Sequence, residues 1–288
     1  MFFTPNYEKA KEKSEEYITN HSRFETYSHA YIVTNENLRQ LPQLMPKKHE
    51  NVLTVVGSGD HPLWFSLYGA KHVDTFDISY NAKVLMDIKV TALRCLNWYN
   101  YKRLLEDFYE TNWHPCEWLS SIKNMRRILP NLPKIETEYI EALRTAKIFR
   151  TYGSPKKSKS LPTFWEYIKL RIMIKETYNF YMTDIRNLGD FLTTSYDVIH
   201  LSNILDYVPM TEHKNIILSL VNYVNPGGRI IAHNLQYDMV EGYANYFGDA
   251  AKEIADSLYK WRYIQKSIVT PNTNITLLNG THILERIR

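Results

Sequence analysis

Two hundred and eighty-eight residues, 44% of them hydrophobic and 23% charged, make a chain long enough to bury a large core without a disulfide framework. That balance, with a net charge of +4, excludes disordered, collagen-like and coiled-coil compositions, and no apolar run approaches the roughly 20 residues that span a bilayer. The cysteines, Cys95 and Cys116, fit no metal-ligand spacing, and the first residues lack the basic-then-apolar order of a secretory signal, so a reducing, cytoplasmic compartment is expected.

Residues 1–48 are polar and charged and read as an N-terminal helical cover, with helix expected over Tyr7–Ile18 and Glu36–Leu44 before the break at Pro46-Lys47-Lys48. Asn51-Val-Leu-Thr-Val-Val56 is a β-branched apolar run that ends in Gly57-Ser-Gly-Asp60 and leads into a helix-compatible stretch through Tyr68. A second strand is expected within Lys71–Ile78. The helix that follows, Asn81–Leu96, carries Ala82, Leu85, Met86, Val90, Leu93 and Leu96 at helical spacing. Two β-α units in succession predict parallel strands.

From residue 101 to 177 the alternation stops, and the chain reads as a helical, aromatic and basic insertion on the acceptor side, with Lys and Arg outnumbering Asp and Glu 15 to 9. Its Thr151–Pro162 stretch combines Gly and Pro breakers with Lys156, Lys157 and Lys159, as a mobile loop does. The rhythm then resumes. Strands are expected at Tyr178–Asp184, Tyr196–Ser202 and, after a Pro226-Gly227-Gly228 turn, Arg229–Asn234; helices at Thr211–Tyr223 and Ala244–Leu258; a terminal hairpin at Gln265–Val269 and Thr281–Ile287. Residues 49–100 and 178–288 thus predict an α/β core: an open, doubly wound sheet of seven strands with one antiparallel strand at or near its edge.

Ligands of such sheets bind outside the carboxyl ends of the strands, so strand ends are the positions of interest. Gly57-Ser58-Gly59 lets backbone approach a ligand and exposes amides at a helix start, or else is a structural tight turn. Leu63 and Trp64 stand where a third glycine would admit a pyrophosphate, which argues against a dinucleotide. Asp77, with Ile78 after it, ends the second strand about 20 residues on, where a carboxylate accepts ribose hydroxyl protons; capping the next helix is the competing role. Asp184 and Ile185 end another strand and suit an adenine amino group and the ring's apolar face. His200-Leu-Ser202-Asn203 ends the following one, facing the open centre of the site.

Together the G-x-G turn, the acidic residue ending strand two, the Asp ending strand three and the Pro-Gly-Gly before strand five resemble the class I S-adenosylmethionine-dependent transferase superfamily over residues 51–96 and 178–288. The resemblance implies a Rossmann-like fold and S-adenosylmethionine as cofactor. It gives Gly57, Gly59, Asp77 and Asp184 as contacts, and Ser58, Ile78, Ile185, Ser202, Asn203 and Tyr31 join them as cofactor-binding candidates. A narrower resemblance, to the betaine-lipid synthase family, rests on Val52–Asp60, Phe76–Asn81, Leu85–Leu96 with its Lys89 and Arg94, and Leu201–Tyr207. That family transfers the cofactor's 3-amino-3-carboxypropyl arm to diacylglycerol. Here Ser79 stands where that family is expected to carry an Asn-Pro pair, the chain is shorter, and no second methyltransferase domain follows.

The resulting reading is transfer of the aminocarboxypropyl group to a small or lipid-like acceptor, releasing methylthioadenosine. Methyl transfer is the alternative, and cyclisation of the cofactor a further variant. Tyr207, Asp206 and His233, just past strands four and five, are the candidate bases, each with a structural role as competitor. Tyr31, Tyr207 and Tyr237 offer ring faces to a sulfonium. His114, Cys116 and Glu117 cluster only locally, so no metal is assigned. A non-enzymatic alternative is a nucleic-acid or membrane-surface binding module using Lys156, Lys157, Lys159 and Trp165, although +4 over this length is mild and makes nucleic acid the less expected partner.

Overall fold

The computed structural model describes residues 29–34, 36–110, 124–134, 136–138, 140, 150–152, 155, 158–174, 178–234, 246–267 and 280–287. Among them are nine strands: β1 (His29–Tyr31), β2 (Asn51–Val55), β3 (His72–Asp77), β4 (Arg150–Tyr152), β5 (Asn179–Met182), β6 (Tyr196–Ser202), β7 (Val224–Asn234), β8 (Trp261–Ser267) and β9 (Gly280–Arg286). Helices of eight or more residues are α1 (Asp60–Leu67), α2 (Tyr80–Cys95), α3 (Trp98–Glu110), α4 (Phe164–Met173), α5 (Met210–Val221) and α6 (Tyr246–Ser257). None of the described helices is long and apolar enough to cross a membrane.

Seven strands form one mixed sheet in the order β5-β3-β2-β6-β7-β9-β8, a Rossmann-like, doubly wound arrangement. β2 pairs in parallel with β3, from Asn51↔His72 to Val55↔Phe76, and with β6 on its other side, where Thr54 faces His200. β6 pairs in parallel with β7, and β9 runs antiparallel to both β7 and β8. The antiparallel strand is therefore second from the edge. Chain order reverses between β2 and β6, and in open α/β sheets a ligand crevice forms outside the carboxyl ends of the strands at that switch.

The chain folds as two compact units, Met1–Arg39 with Val56–Tyr68 and Asp77–Met182, and Gln40–Val55 with Gly69–Phe76 and Thr183–Arg288. In the second unit, Val52, Leu53, Val198, Ile199 and Leu201 are fully buried, the continuous apolar pattern of strands covered on both faces. Asp197, buried at the amino end of β6, accepts from the Glu50 and Asn51 amides at 2.9 and 3.0 Å and from Asn225 Nδ2 at 2.9 Å, tying the starts of three strands. The Pro226-Gly-Gly segment, expected as a turn, lies inside β7: pairing steps from Tyr196↔Val224 to Val198↔Arg229, so the extra residues bulge from a continuous strand.

In the first unit every residue of α1 is buried. α4 opens with a Thr163/Glu166 capping box, and its Tyr167 hydroxyl and Arg171 guanidinium donate to the last carbonyls of α2, at Leu96 (2.8 Å) and Arg94 (3.0 Å). β1 and β4 form a short parallel pair that the helical reading of 101–177 did not anticipate, since three-residue strands carry no readable period. The segment expected as a mobile loop is pinned at its far end: Ser158 donates to the Thr34 carbonyl at 3.1 Å, and buried Ser160 bonds both the Glu36 carbonyl and the Leu38 amide. Glu36–Leu44 forms a 3-10 turn over Leu38–Gln40 running into one helical turn, Leu41–Leu44, rather than a regular helix. The helix expected at Tyr7–Ile18 lies outside the described residues.

Candidate functional site

In the first unit the glycine turn and the end of β3 meet. Gly57 and Gly59 both have left-handed backbones (φ +53° and +79°), as the sharp passage from strand to helix requires. A Cβ on Gly59 would sit 2.8 Å from the Met86 Cα of α2, so only glycine allows the turn this close to the helix. The Gly57 amide donates to Asp77 Oδ2 at 2.9 Å, while Asp77 Oδ1 accepts from the Ser79 amide at 2.9 Å. Asp77 thus clamps the turn and also starts α2, joining the ligand-site and capping roles in one carboxylate. Burial pushes its carboxyl up to about 6, against the pull of the Ser79, Gly57 and Ile78 amides. The two oxygens together offer about four acceptor directions, more than these three amides take, which suits a hydroxyl-bearing ligand.

The Gly59 amide, one of those the turn was expected to expose, donates instead to the Val56 carbonyl at 2.7 Å inside the turn. Ser58 is also turned inward, its hydroxyl donating to Asp60 Oδ2 at 2.8 Å. Asp60, buried beneath the turn, accepts in addition from the Thr34 amide (2.8 Å) and from Lys89 Nζ (2.5 Å). Lys89 is wholly buried on α2, and burial, outweighing the attraction of Asp60, lowers its pKa. Of the two basic residues that help carry the narrower resemblance, Lys89 therefore faces the core and Arg94 alone is exposed. Beside this cluster His61 Nε2 lies 3.3 Å from Glu36 Oε2, both buried. Burial opposes a charged His61, but the Glu36 carboxylate outweighs it and the net shift is upward.

The second unit carries the other strand ends. Ser202, closing β6, is the one non-glycine residue with a left-handed backbone among those described (φ +54°), and its hydroxyl donates to Asn203 Oδ1 at 3.3 Å. Such strain persists where the surroundings enforce it, and it clusters at functional sites. Asp184 caps the 3-10 turn Ile185–Phe191, and Arg186 grips its carboxylate through Nε (2.8 Å) and Nη2 (2.6 Å), which holds it below the usual range. Ile185 is buried.

His200 faces no open centre: it is wholly buried in the sheet, where a row of side chains crosses four strands. His200 Nδ1 lies 3.2 Å from Thr54 Oγ1, His200 Nε2 lies 3.2 Å from His233 Nε2, and His233 Nδ1 lies 2.9 Å from Thr281 Oγ1. Both nitrogens of His233 are therefore engaged, and acting as a base requires it to give up one of these partners. Tyr207 is half exposed on the 3-10 turn Ile204–Tyr207. Asp206 shares that turn and Tyr31 lies in β1, but the described structure stops at their backbones; Tyr237, His114, Cys116, Glu117, Lys156 and Lys157 lie outside it.

The structure thus brings Gly57, Ser58, Gly59, Asp77 and Ile78 together in one unit, and Ser202, Asn203 and Tyr207 along one strand end in the other. Thr34, Glu36, Asp60, His61 and Lys89 were missed as a cluster. The sequence signals three of them only as polar residues, Asp60, His61 and Lys89, on otherwise apolar helices, and Thr34 and Glu36, outside any helix, carry no signal.

No protein-family model matches the chain, and no curated protein matches it. Among solved structures it is similar to an rRNA methylase from Streptococcus thermophilus, at 10% identity and a TM-score of 0.38, over 87% of this chain and 94% of that one. A putative methyltransferase from Streptococcus mutans in complex with SAH matches at 11% identity and a TM-score of 0.38, over 88% and 100% of the two chains. A magnesium protoporphyrin IX methyltransferase from Synechocystis with bound SAM gives 11% identity and a TM-score of 0.38, over 86% and 74%.

Proposed function

We propose that the protein is an S-adenosylmethionine-dependent transferase and that it moves the methyl group. The observation that carries this is the Asp77 carboxylate: it is buried, ends the second parallel strand and bonds the Gly57 amide at 2.9 Å. A strand, a glycine turn whose one side chain, Ser58, is turned inward to Asp60, and an inward carboxylate 20 residues on suit a ribose next to a backbone, and the absence of a third glycine disfavours a dinucleotide. When bound, the cofactor supplies a carbon made electrophilic by its sulfonium. Asp77 would accept from the ribose hydroxyls and the Gly57-Ser58 backbone would admit the ligand's close approach. Asp184, Ile185, Ser202 and Asn203 are offered as further contacts, and Tyr207, Asp206 and His233 as the groups that take a proton from the acceptor.

Methyl transfer is put before aminocarboxypropyl transfer because the narrower resemblance departs from its family at Ser79, and Lys89, one of the residues it rests on, is committed to the buried pair with Asp60 rather than to a ligand. The acceptor is left open, nucleic acid included. Purified protein should bind adenosylmethionine in calorimetry and, incubated with it and a cell extract, yield adenosylhomocysteine by mass spectrometry. Methylthioadenosine would reinstate transfer of the aminocarboxypropyl arm, and the absence of both binding and product would refute the transferase reading.

A further inference from the structure

Helix α4 carries an apolar stripe on the wrong side. Tyr167 and Leu170 are its buried face, yet Phe164, Trp165, Ile168 and Ile172 are 46%, 77%, 37% and 76% exposed. At about 100° per residue, these four fall within about 100° of one another around the helix. Lys169 lies just beyond the Trp165 edge of the stripe and is exposed. Arg171, just beyond the Phe164 edge, is exposed as well but spends two of its donors on the Leu96 and Arg94 carbonyls, so among the described residues Lys169 is the free cation of this face. The helix's one acid, Glu166, is paired with Arg39 at 2.7 Å, so the exposed face presents positive charge only.

We propose that this face of α4 is a docking surface for an anionic phospholipid membrane, on which the protein sits peripherally. A helix lying in a membrane interface has this plan: large apolar side chains with a tryptophan reach the acyl boundary, and lysine and arginine flank them at headgroup level. A nucleic acid fits less well, because Ile168 and Ile172, half of the stripe, have no ring on which a base could stack. The inference is independent of the chemistry proposed above, since it uses none of the strand-end residues.

The test is co-sedimentation of the 288-residue chain with phosphatidylcholine vesicles that contain or lack phosphatidylserine. The wild type should partition onto the serine-lipid vesicles and fall off in high salt. Replacing both exposed side chains, Trp165→Ser with Ile172→Ser, should lower the partition coefficient on the order of a hundredfold with an unchanged melting temperature, because neither supports the core. Lys169→Glu, which alters no packing, should lower it about tenfold. Failure of the wild type to bind either vesicle overturns the proposal, as does equal binding by the double variant or indifference to Lys169→Glu. Two other results also overturn it: binding to RNA, but not to vesicles, that is lost with Lys169→Glu and kept with Ile172→Ser; or self-association without vesicle binding that the double variant abolishes.

Discussion

Replacing Lys89 with methionine tests whether the glycine turn is held from below by a buried charge pair. Lys89 is wholly buried and Asp60 nearly so, with Nζ and Oδ1 2.5 Å apart. Methionine fills the space of the lysine stem but removes the cation, leaving the Asp60 carboxylate with two donors, the Ser58 hydroxyl and the Thr34 amide. Breaking one side of a buried pair costs about 3–5 kcal/mol, whereas removing both charges is often close to neutral. Lys89→Met should therefore lower the unfolding free energy by about 3–5 kcal/mol in urea at constant m-value. Asp60→Asn added to it should destabilise by less than the sum of the singles, with a coupling of about 1–3 kcal/mol. Additive losses, or a single-variant loss below about 1 kcal/mol, would mean that Lys89 finds water and that the pair does not hold the turn.

Two further perturbations bear on the turn itself. Gly59→Ala forces a side chain into a backbone at φ +79° and within 2.8 Å of Met86 Cα, and is expected to cost about 2–5 kcal/mol from strain plus overpacking. Gly57→Ala meets only the His61 ring at 3.7 Å and should cost the strain alone, about 1–2 kcal/mol; equal losses in urea unfolding would show that close approach to α2 does not matter. Asp77 is raised from 3.8 to about 6, so between those values the folded chain holds a proton that the unfolded chain has lost. Its contribution to stability is therefore present below about pH 4 and falls as pH rises to about 6, by about 3 kcal/mol, and Asp77→Asn should flatten that slope. Adenosylmethionine affinity of the wild type should rise over the same window as the carboxylate ionises; an unchanged stability slope in the variant, or no such rise in the wild type, counts against the assignment.

The sheet was legible because its signals are periodic and local. β2, β3 and β6 read as strands from their apolar runs, and α2 from Ala82 to Leu93 at helical spacing, all within a residue or two of the observed ends. Asp77 was legible as a strand end 20 residues after a glycine turn, but its two backbone bonds were not, since they depend on how tightly the turn closes on α2. The burial of Lys89 was not legible, because charge on a helix normally means solvent and only the tertiary partner Asp60 makes burial tolerable. His200 was placed at an open centre because strand ends face ligands, yet it lies two residues short of the β6 terminus, where the Thr54 register pairs it inside the sheet.

What lies under the turn explains why its shape is so closely specified. Loop backbones are ordinarily the least determined part of a sheet protein, and a ligand turn left to water would pay ordering entropy each time it bound. Here Asp60 gathers the Ser58 hydroxyl, the Thr34 amide and Lys89, while Asp77 fixes Gly57, so the turn is held from both sides by buried carboxylates. A carboxylate in such a place is unfavourable by itself, and burial raises Asp77 accordingly. In the proposed role, a ligand that donates hydroxyl protons to Asp77 would relieve that penalty, so the same desolvation that weakens the unliganded fold above about pH 6 would favour a diol.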